Sequence, residues 1–241
     1  GIATSINEKI DLTVEGYYKK MNNVISYTEG ARFLADFESD WQDKVVQGTG
    51  ETYGLEMFLN KKLGKTTGWV GYTLSWNWRQ FDDINAGVRY PFRYDRRHDA
   101  SLVVLHQQNE RISYSFSWIY GTGNAITVPT TRYATIPDYE RPNQLLLQEP
   151  SERFVTDGKN NFRMSATHRL DASITFTKQK PTFERKWIFG VYNIYSRVNP
   201  YYIRQGIEII QNEAPPSRQI TVLKEVGILP IIPSVAYTFK F

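Results

Sequence analysis

The sequence predicts an all-β fold, an antiparallel transmembrane β-barrel, and three observations lead to this prediction. Apolar and polar residues alternate with period two over several segments. Short and long connections alternate between these segments. The composition is 15% aromatic while the mean hydropathy is only -0.48. A barrel with one face in lipid and the other against polar groups accounts for that mixture.

Composition also argues against other classes of protein. The most apolar segment, 226–235, is broken by Pro230 and Pro233 and is too short for a transmembrane helix. The chain contains no cysteine, and its lysines and arginines are scattered, so the net charge of +4 does not indicate nucleic-acid binding. Because no signal-peptide pattern follows Gly1, we expect a signal that has been removed or a segment of a longer chain.

Period-two patterns predict eight strands. In the first of them, Ile10, Leu12 and Val14 alternate with polar residues. Gly64 predicts a tight hairpin between the second and third strands. The expected strands cover 6–20, 51–62, a segment from 67, 97–106, 111–121, 168–178, 185–196 and 228–241.

The third and fifth strands have the clearest pair of faces. Val70, Tyr72, Leu74, Trp76 and Trp78 alternate with small or polar residues, and serines likewise alternate with aromatic residues between 112 and 120. We expect the large apolar side chains to face lipid. Aromatic residues near the upper strand ends are interpreted as an interfacial girdle, comprising Trp76, Trp78, Trp118 and Tyr120.

The connections are expected to be short after the second, fourth and sixth strands and long after the others. Barrels of the bacterial outer membrane have this asymmetry, with short periplasmic turns and longer external loops. Aromatic residues in the long connections could contact a ligand or pack within their own loops: Tyr27, Phe33, Phe37, Trp41, Tyr133, Tyr139 and Leu145 to Leu147.

The last residues also fit an outer-membrane protein. Ser234, Tyr237, Phe239 and Phe241 resemble the C-terminal targeting signal of such proteins, with Ala236 where glycine is usual. That resemblance implies recognition by the barrel assembly machinery.

Several short motifs, taken in order, are similar to the last third of TonB-dependent receptors, and the similarity covers nearly the whole chain. They are Asn60-Lys61-Lys62-Leu63-Gly64, Gly68 to Ser75, Phe81-Asp82-Asp83-Ile84-Asn85, Tyr90 to Asp99, Gly121-Thr122-Gly123 and Val191-Tyr192-Asn193.

The resemblance implies a plugged barrel of about 22 strands that imports a nutrient such as a siderophore, glycan or peptide. Residues 1–241 would then be the C-terminal segment of the barrel, without the plug domain. The implied partners are outer-membrane lipid, a surface lipoprotein, and the TonB energising complex, which would bind an N-terminal part absent from this sequence.

The densest polar cluster is Tyr94, Asp95, Arg96, Arg97, His98 and Asp99. We interpret it as cross-strand ion pairing that holds an external loop, in preference to ligand contact. Catalysis is not expected, because no nucleophile motif is present. His98, His106 and His168 lack metal-ligand spacing, so neither a metal nor another cofactor is expected.

Two alternatives stay open at this point. One is a small outer-membrane barrel of eight strands with a structural or adhesive role. The other, a more distant one, is a soluble carbohydrate-binding sandwich.

Overall fold

The computed structural model describes residues 1–28, 40–135, 151–210 and 218–241. It is built from antiparallel strands and two short 3-10 helices, Trp41–Lys44 and Asn85–Gly87, which confirms the all-β prediction. The strands are, in chain order, β1 (Ile2–Asn7), β2 (Ile10–Tyr27), β3 (Val45–Lys61), β4 (Thr66–Gln80), β5 (Tyr90–Pro91), β6 (His98–Asn109), β7 (Ile112–Gly121), β8 (Ala125–Ile126), β9 (Thr131–Thr135), β10 (Ser151–Val155), β11 (Phe162–Arg163), β12 (Thr167–Lys180), β13 (Phe183–Tyr192), β14 (Pro200–Ile210), β15 (Arg218–Gly227) and β16 (Ile232–Lys240).

Nine of these strands form one sheet, and each of the nine pairs with the next one of this set in chain order. Its order is β1, β2, β3, β4, β6, β7, β12, β13 and β16, and the short β5 adds to β4. The remaining strands form three separate pairs, β8 with β11, β9 with β10 and β14 with β15. Within the described residues β1 and β16 are the edges of the main sheet and do not pair with each other, so the sheet is open.

Short and long connections alternate along this sheet and therefore lie at opposite ends of it. We call these the short-turn end and the long-connection end. The short connections are 8–9, 62–65, 110–111 and 181–182, and the long ones are 28–44, 81–97, 122–166 and 193–231.

Each of the eight predicted strands has a counterpart in the main sheet, but further strands lie in the long connections, and the predicted bounds are wrong at both ends of the chain. The first expected strand, 6–20, is divided by a turn at 8–9, where the Asn7 side chain accepts a hydrogen bond from the Lys9 backbone N–H at 2.9 Å. The additional strand β1 results. The last strand begins at Ile232 rather than at 228, and β14 and β15 occupy part of the connection before it.

Cross-strand register divides the main sheet into an apolar and a polar face. Leu55 lies opposite Leu74, and Ile174 lies between Tyr114 and Phe189. We call the face that carries these residues the apolar face. Ser173 lies between Ser115 and Gly190 on the other, polar face. The same register puts Trp187 and Val191 on the apolar face, which the sequence pattern of that strand left ambiguous.

The side chains of the apolar face stay accessible in the middle of the sheet. Leu55, Val70, Phe116, Phe176 and Phe189 are all about 40% exposed. The buried apolar side chains of the described residues lie instead in the long connections: Phe81, Ile84, Tyr90, Ala125, Val128 and Met164. The described part of the chain therefore provides no second layer over the apolar face.

Gly68 is a position in β4 that requires glycine. Its φ is +148°, and an added Cβ would overlap the carbonyl oxygen of Val103 on β6. We expect Gly68→Ala to lower the free energy of unfolding by about 1–3 kcal/mol, because a strained backbone position costs that much. Guanidinium titration of the protein in detergent micelles measures it. Gly16→Ala is the control, because the nearest atom to its Cβ would be 4.0 Å away, and equal losses in the two variants would contradict the assignment.

Candidate functional site

The polar cluster lies at the long-connection end and is centred on Asp95, which is 1% exposed. One carboxylate oxygen accepts the Asn77 backbone N–H at 2.7 Å. The other accepts Arg163 at 2.5 Å and Arg97 at 3.3 Å. Arg163 also donates to the backbone carbonyl oxygens of Asp95 and Gly123. One buried carboxylate thus joins two long connections to the end of β4.

Arg97 extends this arrangement toward the aromatic residues. Its guanidinium carbon lies 4.5 Å from the centre of the Trp76 ring, which stacks on Tyr53 with centroids 5.2 Å apart. A guanidinium over an aromatic face is attracted by the negative π surface of the ring. The cluster therefore fixes the orientation of Trp76.

The other members of the cluster have separate partners. The His98 ring is 2.8 Å from the Tyr72 hydroxyl, and its backbone N–H donates to Thr122 at 3.0 Å. Arg96 pairs with Asp99 at 3.3 Å, and both side chains are nearly half exposed. These contacts hold the loop, whereas Tyr94 is 61% exposed and remains accessible.

A second buried polar cluster is centred on Asn193, which is fully buried. Asn193 was not among the predicted site residues. Its side-chain amide donates to the carbonyl oxygens of Arg197 at 2.8 Å and Leu229 at 3.1 Å. Its backbone N–H donates to Asp171 at 2.9 Å, and Arg169 pairs with the same Asp171 carboxylate. In the sequence, Asn193 was noted only as part of the motif Val191-Tyr192-Asn193, on which the family resemblance partly rests.

Tyr195 lies in the turn that the cluster around Asn193 stabilises. Its hydroxyl contacts the His168 ring at 2.8 Å. Burial raises the pKa of the Tyr195 hydroxyl above its ordinary value.

A cleft of about 470 Å³ opens between three long connections. Its lining includes the cations Arg93 and Arg96 and the exposed rings of Tyr94 and Tyr201. Asn124 also lines it, and the buried side-chain oxygen of Asn124 has no hydrogen-bond donor within the described residues. The cleft thus offers cations and aromatic faces to a ligand.

The four predicted girdle residues all lie on the apolar face at the long-connection end. Trp76 and Trp78 share β4, and Trp118 stacks on Tyr120 at 6.1 Å on β7. Sequence reasoning missed a second aromatic group on the same face at the short-turn end. It comprises Phe183, Trp187, Tyr237 and Phe239, with Trp187 and Tyr237 centroids 4.7 Å apart.

The residues of the suggested C-terminal signal divide between the two faces. Tyr237 and Phe239 belong to the second aromatic group, while Ser234 lies opposite Gly190 on the polar face. Phe241 follows the last strand and is 96% exposed.

Only some of the aromatic residues expected in the long connections can be placed. The placement of Tyr27 in a connection was wrong, because it is the last residue of β2 and lies opposite Val45. Tyr27, Trp41 and Tyr133 are each more than half exposed. Phe33, Phe37, Tyr139 and Leu145 to Leu147 lie outside the described residues.

Within the described ranges, no group of histidine and acidic side chains could hold a metal ion. None of the described helices is long and apolar enough to cross a membrane.

Comparison with models of known protein families gives no match, and neither curated proteins nor solved structures give one.

Substitution of Asp95 tests whether the polar cluster holds the long connections in place. Asp95→Asn keeps the side-chain shape but leaves Arg97 and Arg163 without their shared carboxylate. Removing one partner of a buried ion pair costs about 3–5 kcal/mol. Because both arginines keep about 30% exposure, we expect a loss of about 2–3 kcal/mol in the free energy of unfolding.

The control is Asp99→Asn, which removes an exposed pair and should cost less than about 1 kcal/mol. Denaturant titration, together with protease cleavage of the 81–97 connection, gives both readouts. A loss in Asp95→Asn no larger than that in Asp99→Asn would show that the buried pair does not hold the loop.

Proposed function

We propose that this chain forms part of a transmembrane β-barrel in the bacterial outer membrane and belongs to a TonB-dependent receptor that imports a nutrient. The observation that carries the proposal is the accessible apolar face bounded by aromatic residues at both ends. Lipid is the solvent in which such a face is stable, and aromatic girdles occur at both interfaces of membrane barrels.

The spacing of the two aromatic groups supports this proposal. Tyr120 lies opposite His168 and Trp187 lies opposite Phe176, so eight residue steps along β12 separate them. At about 3.3 Å per residue the separation is roughly 26 Å before strand tilt is considered. The apolar band of a membrane barrel is about 25 Å tall.

The soluble sandwich is a weaker candidate. Its two sheets would bury their facing apolar side chains in a common core. In the described residues the apolar face of the main sheet stays accessible, and the buried apolar side chains lie in the connections.

The small closed barrel is also less favoured, because the described sheet is open between β1 and β16. In lipid, an unpaired edge leaves backbone N–H and C=O groups unsatisfied, at several kcal/mol each. In this proposal strands beyond residues 1–241 pair with both edges. Receptors of the kind that the sequence resembles have a plug and many more strands, so the whole protein would contain strands that could pair with these edges.

In the proposed receptor the ligand reaches the cleft that Arg93, Tyr94 and Tyr201 line at the long-connection end. The role of this segment is binding and passage rather than catalysis. The plug, the contact with the TonB complex and docking of a surface lipoprotein are parts of the proposal that rest on the resemblance alone.

The orientation of the faces is testable at two adjacent positions of β7. Phe116 lies on the apolar face, and Ser117 lies on the polar face opposite Asp171. We expect Phe116→Arg to cost about 2–4 kcal/mol, as for a lipid-facing arginine near the bilayer midplane. Ser117→Arg should cost little, because Asp171 is nearby. Folding titrations into lipid vesicles compare the two, and equal tolerance would reject a lipid-facing apolar face.

Cysteine cross-linking tests whether the sheet closes within this chain, which has no natural cysteine. We expect Ala3→Cys on β1 to form no disulfide with a cysteine at Ser234, Ala236 or Thr238 on β16. The positive control is a cysteine pair at Thr175 and Ile188, which are direct neighbours across β12 and β13. An intramolecular disulfide between β1 and β16 would require Cα atoms about 4.4–6.8 Å apart and would reject the larger barrel.

A further inference from the structure

A second cleft lies on the apolar face at its long-connection end, away from the proposed ligand cleft. Its volume is about 270 Å³, and Tyr18, Lys20, Glu51, Trp78 and Arg89 line it. Lys20 lies directly opposite Glu51, which lies directly opposite Trp78. Three adjacent strands thus build one row of a base, an acid and an indole.

The charges of this cleft favour an anion. Arg89 pairs with Glu51 at 3.0 Å, and its guanidinium carbon lies 4.4 Å from the centre of the Trp78 ring. The carboxylate is therefore matched by one cation. Lys20 and Arg79, the other two cations that line the cleft, make no ion pair within the described residues, so the cleft keeps uncompensated positive charge.

The indole of Trp78 adds a requirement for an acceptor. Its N–H is buried and has no hydrogen-bond partner in the described part of the chain. A buried donor without an acceptor costs about 1–3 kcal/mol. An anion with several acceptor oxygens, such as a phosphate, would satisfy this donor and the ammonium group together.

The surroundings indicate what carries this phosphate. Toward the short-turn end, the same face continues from Glu51 and Trp78 to Tyr53 and Trp76 and then to Leu55 and Leu74. A group bound here would have polar partners at its head and an apolar strip along its tail.

We propose that this cleft binds the phosphate of an anionic lipid headgroup, with the acyl chains lying along the apolar face. The inference rests on the proposed function, because it requires this face to lie in a bilayer. Trp78 then has two roles, a ring at the interface and an N–H that contacts the headgroup. Lys20 and Arg79 supply the uncompensated charge that selects anionic lipid, while Arg89 stays paired with Glu51.

Native mass spectrometry of the full-length protein in detergent tests this site with three probes. Dioctanoyl phosphatidate carries both phosphate and chains, dioctanoylglycerol carries the chains alone, and inorganic phosphate carries the anion alone. We expect saturable binding of phosphatidate, at least about tenfold tighter than binding of either part, because the cleft contacts both.

Lys20→Gln is the sharpest variant, because it removes charge without stranding a partner. We expect it to weaken phosphatidate binding about fivefold, the effect of one basic residue near an anionic lipid surface. Trp78→Phe keeps an aromatic ring at this position but removes the indole N–H donor, and it should also weaken binding. Lys19→Gln is the matched control, because Lys19 is adjacent in β2 but lies on the polar face opposite Thr52.

Equal weakening by Lys19→Gln and Lys20→Gln would overturn the site, as would inorganic phosphate that binds as tightly as phosphatidate. Bilayer insertion is measured separately by the heat-dependent shift in gel mobility. Inserted protein that binds no phosphatidate would overturn the lipid site and leave the proposed function standing. Protein that does not insert would overturn both.

Discussion

The rest of the structure depends on the register of the backbone hydrogen bonds between neighbouring strands. This register aligns the apolar side chains of each strand on one face of the sheet and the polar side chains on the other. Because successive side chains point to opposite faces, a slip of one residue in any pair would exchange the apolar and polar faces of that strand. The register keeps Leu55 with Leu74 and Ser173 with Gly190 across neighbouring strands. The irregularities in β2 and β6 lie nearer strand ends, between Met21 and Val24 and between Gln107 and Asn109. Both faces therefore continue across the sheet.

Two buried polar side chains act together with a hydrophobic cluster at the long-connection end. Within the described residues this cluster is centred on Phe81, Ile84 and Tyr90. Asp95 and Asn193 are buried as well, and each connects segments distant in the chain. Charge-assisted and amide hydrogen bonds are directional, so they fix the position of a loop as well as its stability. Loops held in this way can present Tyr94 and Tyr201 at a cleft without covering them.

Much of the fold could be predicted from the sequence, because alternation is a local signal. The hairpin at Gly64 and the alternating faces of β4 and β7 required no distant contact. The turn at 8–9 was missed because Ile6 and Ile10 have the same parity, so only Glu8 interrupts the period-two pattern across the turn. Prolines obscured the later elements, because Pro200 begins β14 and Pro233 lies near the start of β16. The site was less accessible to prediction: the cluster around Asp95 was visible, but Arg163 binds it from 68 residues away. No local pattern encodes such a pair.

Within the described residues, the apolar face is uncovered and the β1 and β16 edges are unpaired, and one arrangement would resolve both. A cover over the apolar face alone would leave the β1 and β16 edges unpaired, and additional strands alone would leave large apolar side chains in water. The proposed larger barrel would meet both requirements, because lipid would cover the face while further strands would pair with the edges. Small residues on the polar face, including Ser115, Ser173 and Gly190, leave room inside such a barrel. A barrel of few strands must fill its interior with side chains, so the same serines and glycine that fail to fill a narrow lumen favour a wide one.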